Sequence, residues 1–82
     1  LLSFIFIRMK EQNNKLLKLG LEVKKYRHKL GLSQEKLAFI CEFDRTYISL
    51  IERGKRNISY LNLVKLSKGL KVSISELTKD IE

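Results

Sequence analysis

The stretch Gln34–Gly54, QEKLAFICEFDRTYISLIERG, constrains the fold more than any other part of the chain. It holds two short amphipathic runs with almost nothing between them. In a helix successive residues lie about 100° apart. Over Arg45–Arg53 that spacing puts Tyr47, Ile48 and Ile51 on one arc, and Arg45, Thr46, Ser49, Leu50 and Arg53 on the opposite one. The inner arc is apolar, as a core requires. The outer arc carries groups that read base edges: Arg forks onto guanine, hydroxyls adapt to several bases, and an aliphatic chain meets the thymine methyl. An ordinary amphipathic helix with a solvated face fits this run equally well. Asp44 stands at the N-cap position, where its carboxylate can accept from free first-turn N–H groups.

The preceding run shifts the balance. Ser33 suits the N-cap of a helix over Gln34–Cys41, with Glu35 and Lys36 in its first turn. Leu37, Ala38 and Cys41 share one arc. Two helices joined by a three- or four-residue turn approach closely, and the small Ala38 permits that. Glu42-Phe43-Asp44 is the turn, and Phe43 is the apolar plug between the helices.

These residues resemble the Cro/Xre-type helix-turn-helix family. The pattern lies in Gln34, Leu37-Ala38, Ile48-Ser49, Ile51-Glu52 and Gly54. It extends upstream through Leu19-Gly20, Val23, Arg27 and Gly31-Leu32-Ser33, and downstream through Leu63, Leu70, Val72-Ser73 and Leu77. The narrower run DRTYIS followed by ERGKRN is similar to the controller proteins of restriction–modification systems, and phage repressors share much of it. The resemblance implies an all-α, compact five-helix, lambda-repressor-like DNA-binding domain with its helix-turn-helix at helices 2 and 3. It also implies an ion pair between Arg27 and Glu52 that ties helix 1 to the reading helix. One position departs from the family, which usually has Gly or Asn where Glu42 stands. A positive φ there costs a non-glycine residue roughly 1 kcal/mol, so either the turn differs or the chain carries that strain.

Eighty-two residues make one domain with a small interior. The net charge of +8 favours a polyanionic partner, nucleic acid or an anionic membrane. A single cysteine argues against a disulfide scaffold and fits a reducing cytoplasm. Cys41 falls on an inward helical position and reads as a small core residue. His28 is the only histidine, lacks a Cys or His partner for a metal, and reads as surface. No paired carboxylates, Cys–His arrangement, metal cluster or phosphate-cradling glycine loop points to an enzyme; no cofactor and no small-molecule ligand is expected.

Along the chain, residues 1–13 form an N-terminal extension before a domain over 14–82. Leu1–Ile7 is apolar but too short to span a bilayer, and it lacks the basic start and cleavage site of a signal peptide. Because Met9 is the only methionine, one expectation is that translation begins there. The other is that residues 1–8 form a short strand or helix that covers Phe39, which points away from the core, or that pairs with a second chain. Lys10–Lys15 reads as frayed. Helix 1 is expected over about Asn14–Leu30, with Leu16, Leu19, Val23, Tyr26 and Leu30 buried and Gly31 as its left-handed stop.

Gly54 closes the reading helix, and Lys55-Arg56-Asn57 follows as a basic loop. The loop is either a solvated turn or, as its position favours, a set of phosphate contacts beside the next helix start, which Ser59 can cap. By resemblance Gln34 also holds a phosphate together with the neighbouring helix. Helix 4 covers Tyr60–Gly69, with Leu61, Leu63, Val64 and Leu66 partly buried. Helix 5 covers Ile74–Ile81, opened by Ser73 or Ser75. In the family this end of the chain commonly forms a two-fold contact, which Ile74, Leu77 and Ile81 would supply here; alternatively Ile74 and Leu77 only close the monomer core.

The resulting expectation is a cytoplasmic, nucleoid-associated regulator of bacterial or phage origin that binds double-stranded DNA as a homodimer, without a membrane. Arg45, Thr46, Ser49 and Leu50 would read bases. Gln34, Tyr47, Lys55, Arg56 and Asn57 would hold the backbone. An autoregulatory controller of a restriction–modification system is the reading that the resemblance favours. An antitoxin or phage-type repressor on the same domain, or a non-regulatory RNA- or protein-binding module, are the alternatives.

Overall fold

The computed structural model describes residues 2–81, the side chain of Leu2 excepted; Leu1 and Glu82, the two ends of the sequence-based domain division, lie outside it. The described residues form α1 (Leu2–Lys29), α2 (Gln34–Cys41), α3 (Arg45–Glu52), α4 (Tyr60–Gly69) and α5 (Ile74–Thr78), with no strand among them. None of these helices is long and apolar enough to cross a membrane.

Helix α1 corrects the expectation of a frayed start near Asn14. It is helical from Leu2 and runs for 28 residues. No Gly or Pro interrupts the chain before Gly20, so nothing stops the helix from continuing outward. Arg8 lies over the Phe4 ring at 5.3 Å and Lys10 over the Phe6 ring at 4.6 Å, two i,i+4 pairs that support these turns. At 1.5 Å per residue α1 is about 42 Å long, close to the 44 Å long dimension of the molecule. Its first turns project from the domain, with Phe4, Ile5, Phe6, Ile7 and Met9 exposed. They do not cover Phe39, which is 76% exposed.

Four helices close in one way. At the end of α1 Gly31 (φ 68°) donates to the His28 carbonyl at 3.0 Å, and Leu32 donates to the Arg27 carbonyl at 3.1 Å. That is the Schellman pattern. Gly54 (φ 69°) and Lys55 repeat it on Ile51 and Leu50 at the end of α3. Glu42 (φ 60°) repeats it at α2 and Lys71 (φ 59°) at α4. The turn therefore keeps its left-handed residue although that residue is a glutamate, and it carries the roughly 1 kcal/mol that a Cβ costs there.

The core collects Leu19, Val23 and Tyr26 from α1, Leu37, Ala38 and Cys41 from α2, and Ile48 and Ile51 from α3. Leu66, Leu70 and Leu77 complete it from the C-terminal half. Leu16 is only half-buried, and Leu30, expected inside, is exposed because α1 has already turned into its closure. Leu61, expected partly buried, is 73% exposed on the outer side of the first turn of α4. Burial pushes the Cys41 thiol pKa up, as fits a core residue and not a nucleophile.

Two glycines mark close helix crossings. A Cβ on Gly20 would lie 2.5 Å from the carbonyl oxygens of Ile51 and Glu52, so α1 meets the end of α3 backbone to backbone. A Cβ on Gly69 would lie 2.5 Å from the Cys41 sulfur, where α4 meets α2.

Helix α5 is shorter than expected and ends at Thr78 rather than Ile81. Ser73, not Ser75, caps it by accepting from Glu76 N at 2.9 Å. After Thr78 the Ile81 amide donates to the Thr78 carbonyl at 2.9 Å, and Ile81 tucks against the core. Leu77 is fully buried within the monomer, which leaves it nothing to offer a second chain; Ile74 and Ile81 keep partial exposure. The Tyr26 hydroxyl fastens α5 to α1 by donating to Glu76 Oε1 at 3.0 Å. That bond, with Lys79 at 3.4 Å, holds the Glu76 carboxyl below its ordinary pKa.

Candidate nucleic-acid interface

Helix α3 is two turns long and is held from behind. Ile48 and Ile51 are buried against α1 and α2. Its C-terminal residue Glu52 is also buried, an unusual place for a carboxylate without a partner. Arg27 supplies one: Nε lies 2.6 Å from Glu52 Oε2, and Nη2 donates to Oε1 at 3.0 Å. Its third nitrogen donates to the Leu32 carbonyl at 2.7 Å. Gln34, the first residue of α2, adds its amide to Glu52 Oε1 at 3.1 Å. One carboxylate on α3 thus gathers donors from α1 and α2 and fixes α3 against both. Among the described residues no buried side-chain nitrogen or oxygen lacks a partner.

The opposite face of α3 is open. Arg45, Thr46 and Arg53 are exposed, while Ser49 and Leu50 are half-buried and sit deeper between their neighbours. Arg53 Nε donates to the Ser49 carbonyl at 3.4 Å, so this arginine folds back along its own helix. Asp44 takes the N-cap backbone position, but its carboxylate makes no cap bond; its carbonyl accepts from Tyr47 N at 3.0 Å instead. That corrects the capping role expected of its side chain.

Beside α3 lies an open hollow of about 480 Å³, lined by Thr46, Tyr47, Leu50, Arg56, Asn62 and Lys65 with the Glu42–Asp44 turn. Tyr47 forms its wall. Its ring meets Phe43 edge-on, 4.9 Å between centroids, and Arg56 lies over the other part of the ring at 5.3 Å. Asn62 Nδ2 donates to the Tyr47 hydroxyl at 3.0 Å. The hydroxyl's own proton is left to donate outward. Helical spacing alone did not find Asn62. Its one signal was its position three residues after the Ser59 cap, to which its backbone amide donates at 3.2 Å. Lys55, Arg56 and Asn57 follow as an exposed loop. The structure thus brings Tyr47 and Arg56 together, places Lys55 and Asn57 toward α1 instead, and turns Gln34 inward to Glu52.

The chain matches the helix-turn-helix family model over residues 23–77. It is 49% identical over 71 residues to control protein C.MunI of a Mycoplasma species, spanning 85% of this chain and 96% of that one. It is 52% identical over 66 residues to control protein C.BamHI of Bacillus amyloliquefaciens, spanning 79% and 82%. Among solved structures, the restriction–modification controller protein C.AhdI from Aeromonas hydrophila superposes with a TM-score of 0.74 at 44% identity, over 76% of this chain and 94% of that one. The controller C.Esp1396I, seen as a tetramer on its natural 35 base-pair operator, superposes with a TM-score of 0.74 at 40% identity, over 82% and 88%.

Proposed function

We infer the function from one premise: the chain belongs to the Cro/Xre-type helix-turn-helix family, with controller proteins of restriction–modification systems among its relatives. It is a sequence-specific DNA-binding transcriptional regulator that acts as a homodimer, and it is not an enzyme. Each subunit lays α3 in the major groove, and two-fold symmetry sets half-sites about 34 Å apart on a pseudo-palindrome. The observation that carries this reading is the open face of α3, with Arg45 and Thr46 exposed and the Lys55–Asn57 loop continuing it.

Arg45, Thr46, Ser49 and Leu50 are assigned to base edges. Tyr47, Lys55, Arg56, Asn57 and Gln34 are assigned to the backbone. The Asn62 bond supports the Tyr47 assignment, because it presets the hydroxyl to donate. Gln34 has one amide hydrogen on Glu52 and one left for a phosphate. The half-exposed Ile74 and Ile81 are the apolar groups at the chain end that a two-fold contact would use.

The place of action is the cytoplasm, on chromosomal or phage DNA. Control comes from protein concentration through dimerisation and operator occupancy. A 35 base-pair operator, as in the C.Esp1396I complex, is about three helical turns at 10–10.5 base pairs each, room for two adjacent two-fold sites. The same arrangement here makes the regulator autoregulatory and cooperative. A footprint on the DNA immediately upstream of this chain's own gene, with excess random competitor, tests the reading. Two inverted repeats protected together support the controller. Protection only at low salt, without a boundary, overturns it in favour of a protein or RNA partner.

A further inference from the structure

We propose that the free half of α1 is a second wall of the DNA-backbone site: the groove between Gln12–Leu16 and the Arg53–Asn57 loop takes a phosphate of the flanking duplex. This rests on the reading of α3 as the major-groove helix and extends it to a segment that reading does not use.

The geometry starts at Gly54. A Cβ there would come within 2.8–2.9 Å of Leu17, so the loop after α3 presses directly on α1. One turn toward its N-terminus, α1 runs on past the loop and leaves two adjoining hollows of about 340 Å³ each. One is lined by Gln12, Asn13, Lys15, Leu16 and Asn57. The other is lined by Asn13, Leu16, Leu17, Arg53, Gly54 and Lys55. Asn13 and Leu16 belong to both, so the two form one groove. Its rims carry three cations (Lys15, Arg53, Lys55) and three amide side chains (Gln12, Asn13, Asn57), and no carboxylate lines it. None of the three cations is in an ion pair among the described residues.

Cations and amide donors around a shallow trough are what phosphate oxygens need. The groove is also continuous with the Lys55–Asn57 loop, so a duplex seated on α3 brings its flanking backbone there. Duplex DNA presents a charge about every 1.7 Å along its axis. Helical spacing carries the same face of α1 outward to Arg8, one turn beyond Gln12. An acidic peptide has no reason to follow α3 into this trough.

Lys18 provides a matched control. It sits on the same helix but lines a different depression, with Leu21, Glu22, Asp80 and Ile81. The experiment measures binding of the full chain, Lys15→Gln and Lys18→Gln to a duplex that the chain has itself selected from a randomised library, across a salt series. Thermal melts verify that each variant is folded. Lys15→Gln is expected to make the slope of log affinity against log salt shallower by about one, equally for variant operators, with Lys18→Gln close to the parent. Ethylation interference on the parent is expected to show one phosphate outside those held by the loop, and that phosphate is expected to drop out with Lys15→Gln. Equal slopes for the two variants, or a Lys15→Gln slope like the parent's, overturn the groove while leaving α3 as the reading helix. A parent chain that selects no duplex overturns both.

Discussion

Replacing Glu52 with alanine removes the acceptor of three donated hydrogen bonds at once, two from Arg27 and one from Gln34. The guanidinium it strands is 8% exposed, and the lost carboxylate was 3% exposed. Breaking one side of such a buried pair costs about 3–5 kcal/mol, because the remaining charge stays desolvated. In a domain of this size 1 kcal/mol moves the midpoint by about 4–8 °C, so the drop should be at least about 12 °C. Thermal unfolding followed by far-UV circular dichroism at neutral pH measures it. Moderate salt should leave the difference intact, because a buried pair is little screened. The double variant Arg27→Met with Glu52→Leu should recover most of the loss, since apolar groups of similar volume fill the same space. It still releases the Leu32 carbonyl from Arg27, so the recovery is incomplete. Operator affinity should not recover with stability, because the polar contacts that orient α3 against α1 and α2 are gone. A Glu52→Ala midpoint within about 4 °C of the parent, less than 1 kcal/mol, would refute the claim that this pair holds α3 in place.

Arg45→Ala should cost about 1–3 kcal/mol of operator binding and relax one base position, whereas Arg56→Ala should weaken all duplexes alike and reduce the salt slope by about one; competition with single-base operator variants separates the two. Glu42→Gly should raise the melting temperature by relieving a φ of 60°, a gain of up to about 1 kcal/mol, and a fall would show that the glutamate is held there at no cost. Gly20→Ala should destabilise by roughly 1–3 kcal/mol, because its methyl meets carbonyl oxygens of α3 rather than a movable side chain; chemical denaturation gives the value. Tyr26 first, then Lys79, lowers the Glu76 pKa from its ordinary 4.5. Its contribution to stability is therefore complete above that value and lost as pH falls through the lowered one, so melts taken from about pH 6 down to about pH 3 should show a shallower acid limb for Glu76→Gln.

The open face of α3 is legible because helical spacing sorts Ile48 and Ile51 from Arg45, Thr46 and Arg53 without any tertiary information. The Arg27–Glu52 pair came from resemblance, not from spacing: nothing local tells a buried Glu52 from an exposed one. The polar run before Lys15 looked frayed, yet it contains no residue that ends a helix, and polarity on a projecting helix is no obstacle to helicity. Sequence leaves Leu77 open between a two-fold contact and the monomer core, because it shows that a residue is apolar, not which side of a thin domain reaches it first. Asn62 and Gly20 act across helix pairs far apart in sequence, on Tyr47 and on the carbonyls of Ile51 and Glu52, and no periodicity within one helix could expose them.

The brevity of α3 has a thermodynamic consequence. Eight residues fall below the roughly 12–15 at which a helix is even marginal in water, so its open face exists only while the whole domain is folded. Folding and operator binding are then linked equilibria. DNA at about 100 times its dissociation constant adds about 2.7 kcal/mol to the native state. A variant that melts early in free solution is therefore rescued at its own operator while failing to survive between binding events. Mutations in the core would show themselves first as a shorter lifetime of the unbound protein, and only later as a weaker grip on DNA.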